Sequence, residues 1–157
     1  MLTDATIITL AEAPEYTETC ARWAFEAWGR YNPENTLERR IQNFKQHQNK
    51  NALPLTLLAL VDKKLAGMAS LRANDGVRAD LTPWLGSLFV DRAYRSKQIG
   101  EQLVDAIKAK AASLGFEELY LLTFEDSLPD WYTTLGWKEI AKDSFHGHPI
   151  TIMKTEF

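Results

Sequence analysis

The sequence contains one cysteine, Cys20, so no internal disulfide can form. No basic-then-apolar segment follows Met1, and with the lone thiol this predicts a reducing, cytoplasmic setting. Long hydrophobic runs are missing as well. The longest, Ala52 to Val61, falls well short of the roughly 20 residues of a membrane-spanning helix. Neither charge dominates: 18 Lys and Arg stand against 21 Asp and Glu, for a net charge of −3. That excludes a broad basic face for nucleic acid and leaves room only for a small cationic pocket. Internal repeats and Pro/Gly/Ser-rich linkers are also absent, so residues 1–157 read as a single domain. Hydrophobic residues at 45% and charged residues at 25% are ordinary globular values. A chain of this size buries roughly 70% of its unfolded surface and needs no metal or disulfide to hold it.

The periodicity predicts a short strand over Thr6 to Leu10. Pro14 then sits at the first turn of a helix that carries Tyr16, Cys20, Trp23, Ala24 and Ala27 on one face and stops at Gly29. Asn35 and Glu38 form a capping-box pair for a second helix, reaching about Asn49, with Leu37, Ile41 and Phe44 as its stripe. Leu55 to Val61 and Leu65 to Leu71 read as a hairpin about Asp62-Lys63-Lys64, and Trp84 to Val90 as the next strand. Ile99, Leu103, Ile107, Ala111 and Leu114 mark one face of a long helix closed by Gly115. A strand at Glu118 to Phe124 follows, then a short helix after Pro129 that ends at Gly136. Two last strands lie near Trp137 to Ala141 and Ile150 to Lys154. The order β-α-α-β-β-β-α-β-α-β-β is an α/β class with a mixed sheet. The long crossover helix makes the strands at Trp84 and Glu118 a parallel pair.

Chemistry concentrates between that strand and that helix, in Asp91-Arg92-Ala93-Tyr94-Arg95-Ser96-Lys97-Gln98-Ile99-Gly100. A helix N-terminus leaves backbone N–H groups unpaired and carries partial positive charge, so it suits phosphate; Arg95 and Lys97 add formal charge, and Gly100 permits close approach. The same residues read equally as a solvated basic turn, with Gly100 a helix–sheet packing position.

Leu88-Phe89-Val90-Asp91-x-x-Tyr94-Arg95-Ser96-Lys97-Gln98-Ile99-Gly100-x-x-Leu103 resembles the acyl-CoA-binding motif of the GNAT superfamily of N-acetyltransferases. Trp131-Tyr132-Thr133-Thr134-Leu135-Gly136-Trp137 is similar to a second motif of that family, at the expected distance. The element order resembles the GNAT fold along the whole chain: a mixed central sheet flanked by helices. The chain departs from the pattern at Gln98, where the family has its first glycine, and at Ser96, where many members have another. At φ below zero these side chains cost little, whereas at φ above zero Gln98 is strained and pyrophosphate binding weakened. The family's common Asn after its fifth strand is also missing, and Thr123-Phe124-Glu125-Asp126-Ser127 stands in its place.

The resemblance implies that acetyl-CoA, as cosubstrate, lies where the strand near Leu88 splays from the strand near Leu121. Its pantetheine would bond the backbone of Leu88, Phe89 and Val90. Its pyrophosphate would meet the N–H groups of Arg95, Ser96, Lys97, Gln98, Ile99, Gly100 and Glu101. The implied reaction is direct attack of a primary amine on the thioester. It needs loss of the ammonium proton, a donor for the developing oxyanion and a proton for the thiolate. A backbone N–H near Phe89 or Val90 serves the oxyanion, and Tyr132 serves the thiolate, since a phenol of pKa ~10 is protonated at neutral pH. As a packing aromatic between Trp131 and Trp137, Tyr132 has a structural alternative.

No base stands out. Trp84 to Val90 carries no Glu, so deprotonation is expected through water near Ser87, Asp80 or Glu26. The acceptor is open among a peptide or protein N-terminus, a lysine and a small amine; the acidic balance leans toward cationic acceptors but is too small to decide. A homodimer is compatible with this reading. Trp23, Trp28 and Trp84 are candidates for an acceptor wall, with core packing as the alternative. His146-Gly147-His148-Pro149 reads as a turn near the acceptor and not as a metal site, for want of a third ligand. Cys20 reads as a buried small hydrophobe. The rival from another class is a non-catalytic acyl-CoA-binding or sensor domain, favoured by Gln98, the missing Asn and the missing base. A nucleotide-binding module ranks lower, since the loop lacks a Lys-Ser/Thr ending.

Overall fold

The computed structural model describes residues 4–157; Met1, the start point for the leader-segment reading, lies outside them. Seven strands form one sheet in the order β1-β2-β3-β4-β5-β7-β6. They are β1 (Thr6–Thr9), β2 (Leu55–Val61), β3 (Lys64–Arg72), β4 (Trp84–Val90), β5 (Glu118–Thr123), β6 (Lys138–Phe145) and β7 (His148–Glu156), and all neighbours except β4 and β5 are antiparallel. Four helices flank the sheet: α1 (Thr17–Trp28), α2 (Leu37–Gln46), α3 (Ile99–Ser113) and α4 (Leu128–Thr134). Among the described residues no helix is long and apolar enough to cross a membrane.

β2 shows why the sheet is covered on both faces. Its side chains alternate, so Leu55, Leu57 and Ala59 enter the core beneath α3 and α4 while Leu58 enters the core beneath α1 and α2. α3 lies where its stripe can be dehydrated: Ile99, Leu103, Val104, Ile107 and Ala111 are fully buried. At about 1.5–3 kcal/mol for each large side chain, this burial outweighs the few tenths contributed by intrinsic propensity. Gly115 follows the helix at φ +92, in the left-handed conformation that closes a helix end.

Four local expectations need correction. The cap of α2 is Thr36, whose hydroxyl accepts from the Arg39 N–H at 3.1 Å, and not Asn35. Both residues are able to cap, but only Thr36 stands three residues before a free N–H of the first turn. α2 also ends at Gln46, three residues short of Asn49. Gly29 does not stop the chain's helical path; it takes right-handed angles and passes α1 into a short 3₁₀ turn, Gly29–Tyr31. The last two strands run longer than their apolar cores, because the pair meets in a tight turn at His146 and Gly147.

Two irregularities on the edges of β4 open the sheet beside it. Its parallel pairing with β5 is confined to Trp84 opposite Tyr120, where the Tyr120 N–H donates to Pro83 O at 3.0 Å; beyond that point the strands diverge. On its other edge Met68 faces Phe89 and Ser70 faces Gly86, so Ser87 and Leu88 together stand opposite the single residue Ala69. This is a β-bulge, and Ser87 pays for it locally with a φ of 50°.

Candidate active site

The bulge and the splay act together on the β4 backbone. The Asp91 N–H donates to Ala66 O at 2.8 Å, so by the strand's alternation Phe89 turns its peptide groups to β3 and Val90 turns them away, toward the gap. The Phe89 ring lies on the α1 side, 4.9 Å from Trp23. Of the two residues expected to offer an oxyanion donor, Phe89 is thereby removed. Leu88, lifted out of the ladder by the bulge, lines a cavity of about 150 Å³ that opens where β4 leaves β5.

Tyr132 reaches the same cavity from α4. Its ring is 6% exposed and lies edge-on to Trp131 at 4.8 Å and Trp137 at 5.8 Å. Burial pushes the phenol well above its usual pKa, which keeps the proton on through the neutral range. The motif residue thus both packs and faces the cavity.

The loop before α3 holds two residues in costly left-handed conformations, Ser96 at φ 64° and Gln98 at φ 63°. Gln98 is the residue preceding α3, and the N–H groups of Ile99, Gly100 and Glu101 are its first-turn donors. The Ile99 side chain is buried, so only its backbone can meet a ligand. Arg95 lies back on the strand, Nε donating to Val90 O at 3.0 Å with the guanidinium 5.7 Å over the Phe89 ring. Lys97 is exposed. Gly100 is the link to α4: a Cβ there would sit 3.4 Å from Cη2 of Trp131 and 3.9 Å from Val90 Cγ2. None of Arg95 to Glu101 lines the cavity that holds Leu88 and Tyr132.

The far wall of the cavity comes from segments that sequence reasoning did not join. Trp28, Tyr31 and Asn32 come from the end of α1 and its following turn, Arg40 from α2, Arg72 and Asp75 from the end of β3, Phe124 and Glu125 from beyond β5, and Phe145 from β6. Tyr31 stacks on Phe124 at 3.8 Å, and His148 meets Tyr31 edge-on at 5.0 Å. Arg72 is the organising cation. It pairs with Asp75 at 2.7 Å and donates to the Ser87 hydroxyl, which ties the bulge to the end of β3. Gly86 makes room for it, since a Cβ there would stand 2.8 Å from Arg72 Nη1.

Several expected residues lie elsewhere. Trp84 is fully buried, its indole N–H bonded to Leu81 O at 2.8 Å, at the start of β4 where it is enclosed with Tyr120, Ile150 and Ile152; Trp23 is packed on Phe89. Only Trp28 of the three lines the wall. Asp80 is exposed and paired with Arg78, and Glu26 is exposed on α1; neither lines the cavity, whereas Ser87 does. Cys20 is buried in the α1 core, and burial pushes its thiol up to about 12, which leaves it inert.

The model of the Acetyltransferase (GNAT) family matches residues 13–137. Among solved structures, the chain is similar to the PaiA N-acetyltransferase of Thermoplasma acidophilum in complex with coenzyme A, at 22% identity and a TM-score of 0.72, with 99% of this chain and 100% of that one covered. An aminoglycoside 6'-N-acetyltransferase complexed with coenzyme A aligns at 16% identity and a TM-score of 0.72, covering 96% of each chain. A GNAT-family acetyltransferase of Staphylococcus aureus Mu50 aligns at 18% identity and a TM-score of 0.71, covering 98% and 99%. No curated protein matches at a significant level.

Proposed function

Because the chain belongs to the acetyltransferase (GNAT) family, we propose that its cavity transfers an acetyl group from acetyl-CoA to a primary amine. The observation that carries the proposal is the meeting of three features at one gap: β4 parting from β5 after Trp84, the Leu88 bulge, and Tyr132 on the cavity wall. The chain's groups fit the cosubstrate. The Val90 peptide faces the gap as a missing neighbour strand would require, and the first turn of α3 offers N–H donors for a pyrophosphate. Arg95 holds the Val90 carbonyl in this structure and would release it to a pantetheine amide.

Acetyl-CoA supplies an acetyl thioester, which an amine opens directly, the C–N bond forming as the C–S bond breaks. The N–H of Leu88 or Val90 stabilises the charge that develops on the carbonyl oxygen. Tyr132 gives its proton to the departing sulfur, and the proton that the new amide nitrogen sheds restores the phenol. The desolvation that raises its pKa acts on the thiolate too, so the transfer is not opposed by burial alone. Two carboxylates line the cavity. Asp75 is held by Arg72, which leaves Glu125, with no cation paired to it among the described residues, to draw the ammonium proton off through water. A panel of primary amines incubated with acetyl-CoA tests this, following free thiol and acetylated product. Amine-dependent thiol release is expected; tight acetyl-CoA binding with no turnover on any amine would make the domain a sensor.

The strained loop yields a prediction of its own. A non-glycine residue at left-handed angles costs about 1–2 kcal/mol, and glycine returns part of that through its freer unfolded chain. Gln98→Gly is therefore expected to raise unfolding stability by about 0.5–1 kcal/mol with acetyl-CoA affinity equal or higher, as read by denaturant melts and calorimetry. A large loss of affinity would mean that the Gln98 amide itself contacts the cosubstrate.

A further inference from the structure

The cavity has a charged end that the reaction itself does not use. Arg40, half-buried on α2, lines the 150 Å³ cavity and also the wider cleft of about 930 Å³ that continues from it past Asn32, Arg72, Asp75 and Phe145. Its Nε is buried with no hydrogen-bond acceptor, and no carboxylate pairs with it among the described residues. Leaving a buried donor of a charged group unmet is costly, so water or a ligand entering the cleft has to meet it. Its surroundings do not supply the missing partner. Arg72 stands close enough to lower the Arg40 pKa, after burial, to about 10, and Asp75, whose charge opposes this, is already engaged by Arg72. His47, buried behind them, lies 2.9 Å from the Thr56 hydroxyl, and burial with the two arginines keeps it neutral down to about pH 3. On the same cleft Asn35, displaced from its expected capping role, has a buried amide nitrogen that is also without an acceptor. The other carboxylates on these walls, Glu34, Glu38 and Glu125, are exposed.

We propose that the acceptor is a small amino acid, its amine placed at the Leu88–Tyr132 end of the cavity and its carboxylate received by Arg40. The inference rests on the acetyl-transfer reading of the same cavity and goes past it to the acceptor's chemistry. A guanidinium presents its donors in a planar fork that matches a carboxylate, and the Asn35 amide adds a neutral donor on the same wall. Glu125, lining the cavity but not the wider cleft, supplies the opposite sign at the amine end. Among the described residues the 150 Å³ cavity thus carries one unpaired cation, Arg40, and one unpaired anion, Glu125, the complement of a zwitterion, while Arg39, Glu34 and Glu38 lie only on the wider, solvent-facing cleft. The net charge of −3 is spread over the whole surface and does not describe this wall.

The test compares matched acceptors that differ only in the carboxylate: lysine with cadaverine, and an amino acid with its own amide. The intact protein is expected to favour the acid by at least tenfold in kcat/KM. Arg40→Gln is expected to collapse that ratio toward one, while Arg40→Lys retains part of it. Melting temperature and the KM for acetyl-CoA are read on each variant to separate misfolding from lost recognition. If both members of a pair fall together in Arg40→Gln, Arg40 is structural and the proposal is overturned. If cadaverine and the amides are acetylated as well as the acids by the intact protein, the acetyl-transfer reading stands and the amino-acid assignment falls. A preference for an aminoalkyl phosphate over the matching acid would move the assignment to a phosphomonoester and overturn the carboxylate. Thiol release with no amine at all removes both readings.

Discussion

Tyr132→Phe should lower kcat by about 10²–10⁴-fold, the range for a single acid–base group, and leave the acetyl-CoA dissociation constant nearly unchanged. The hydroxyl is the only atom removed, and the ring that packs between Trp131 and Trp137 stays in place, so the fold and the cosubstrate's seat have no reason to change. Because burial keeps the wild-type phenol protonated, the activity should show no falling basic limb from Tyr132 through the neutral range. Steady-state rates with calorimetric binding check both halves of the expectation. A fall of only twofold or threefold would leave Tyr132 as a packing residue. Loss of binding and rate together would place its hydroxyl in the binding site and withdraw the catalytic role.

Gly100→Val should weaken acetyl-CoA binding at least tenfold, or about 1.4 kcal/mol, in a protein that still folds. Two effects reinforce each other. A Cβ already comes within 3.4 Å of Trp131, and the two further methyl groups of valine must displace that ring, at an overpacking cost of about 1–3 kcal/mol. The same branched side chain crowds the first-turn N–H groups where a pyrophosphate would bind. Since Trp131 neighbours Tyr132, kcat should fall as well, whereas a change confined to the phosphate cradle would alter affinity alone. Calorimetry and thermal melts on both proteins decide. Unchanged affinity in a folded variant would show that this turn is not the phosphate site.

Much of the sheet and α3 was legible because their signals are local. β2 is a continuous apolar run, α3 a long stripe ended by glycine, and Asp62-Lys63 a two-residue turn. The cap of α2 was not, since Asn35 and Thr36 are adjacent cap formers and only the chain's approach angle selects between them. The position of Tyr132 followed from its motif, but the far wall did not. Arg40, Arg72 and Glu125 sit 32 and 53 residues apart along the chain and share no periodic pattern, so their convergence is a product of sheet order alone. Trp84 misled for a related reason. It shares its face with Gly86 and Arg72 of the cavity wall but stands at the start of β4, where Tyr120, Ile150 and Ile152, brought there by sheet order, enclose it.

The confinement of β4–β5 pairing to Trp84 and Tyr120 also has a mechanical meaning. The sheet is two pleated plates, β1 to β4 and β5 to β7, riveted near one corner and braced from behind by the α3 crossover. A molecule laid along the open seam is held by both plates and so acts as a strut, resisting the scissoring that a single rivet permits. Occupancy of the seam would stiffen the C-terminal plate, which carries Phe145 on the far wall of the cavity and His148 against Tyr31, and would do so without any hinge, lid or loop having to close.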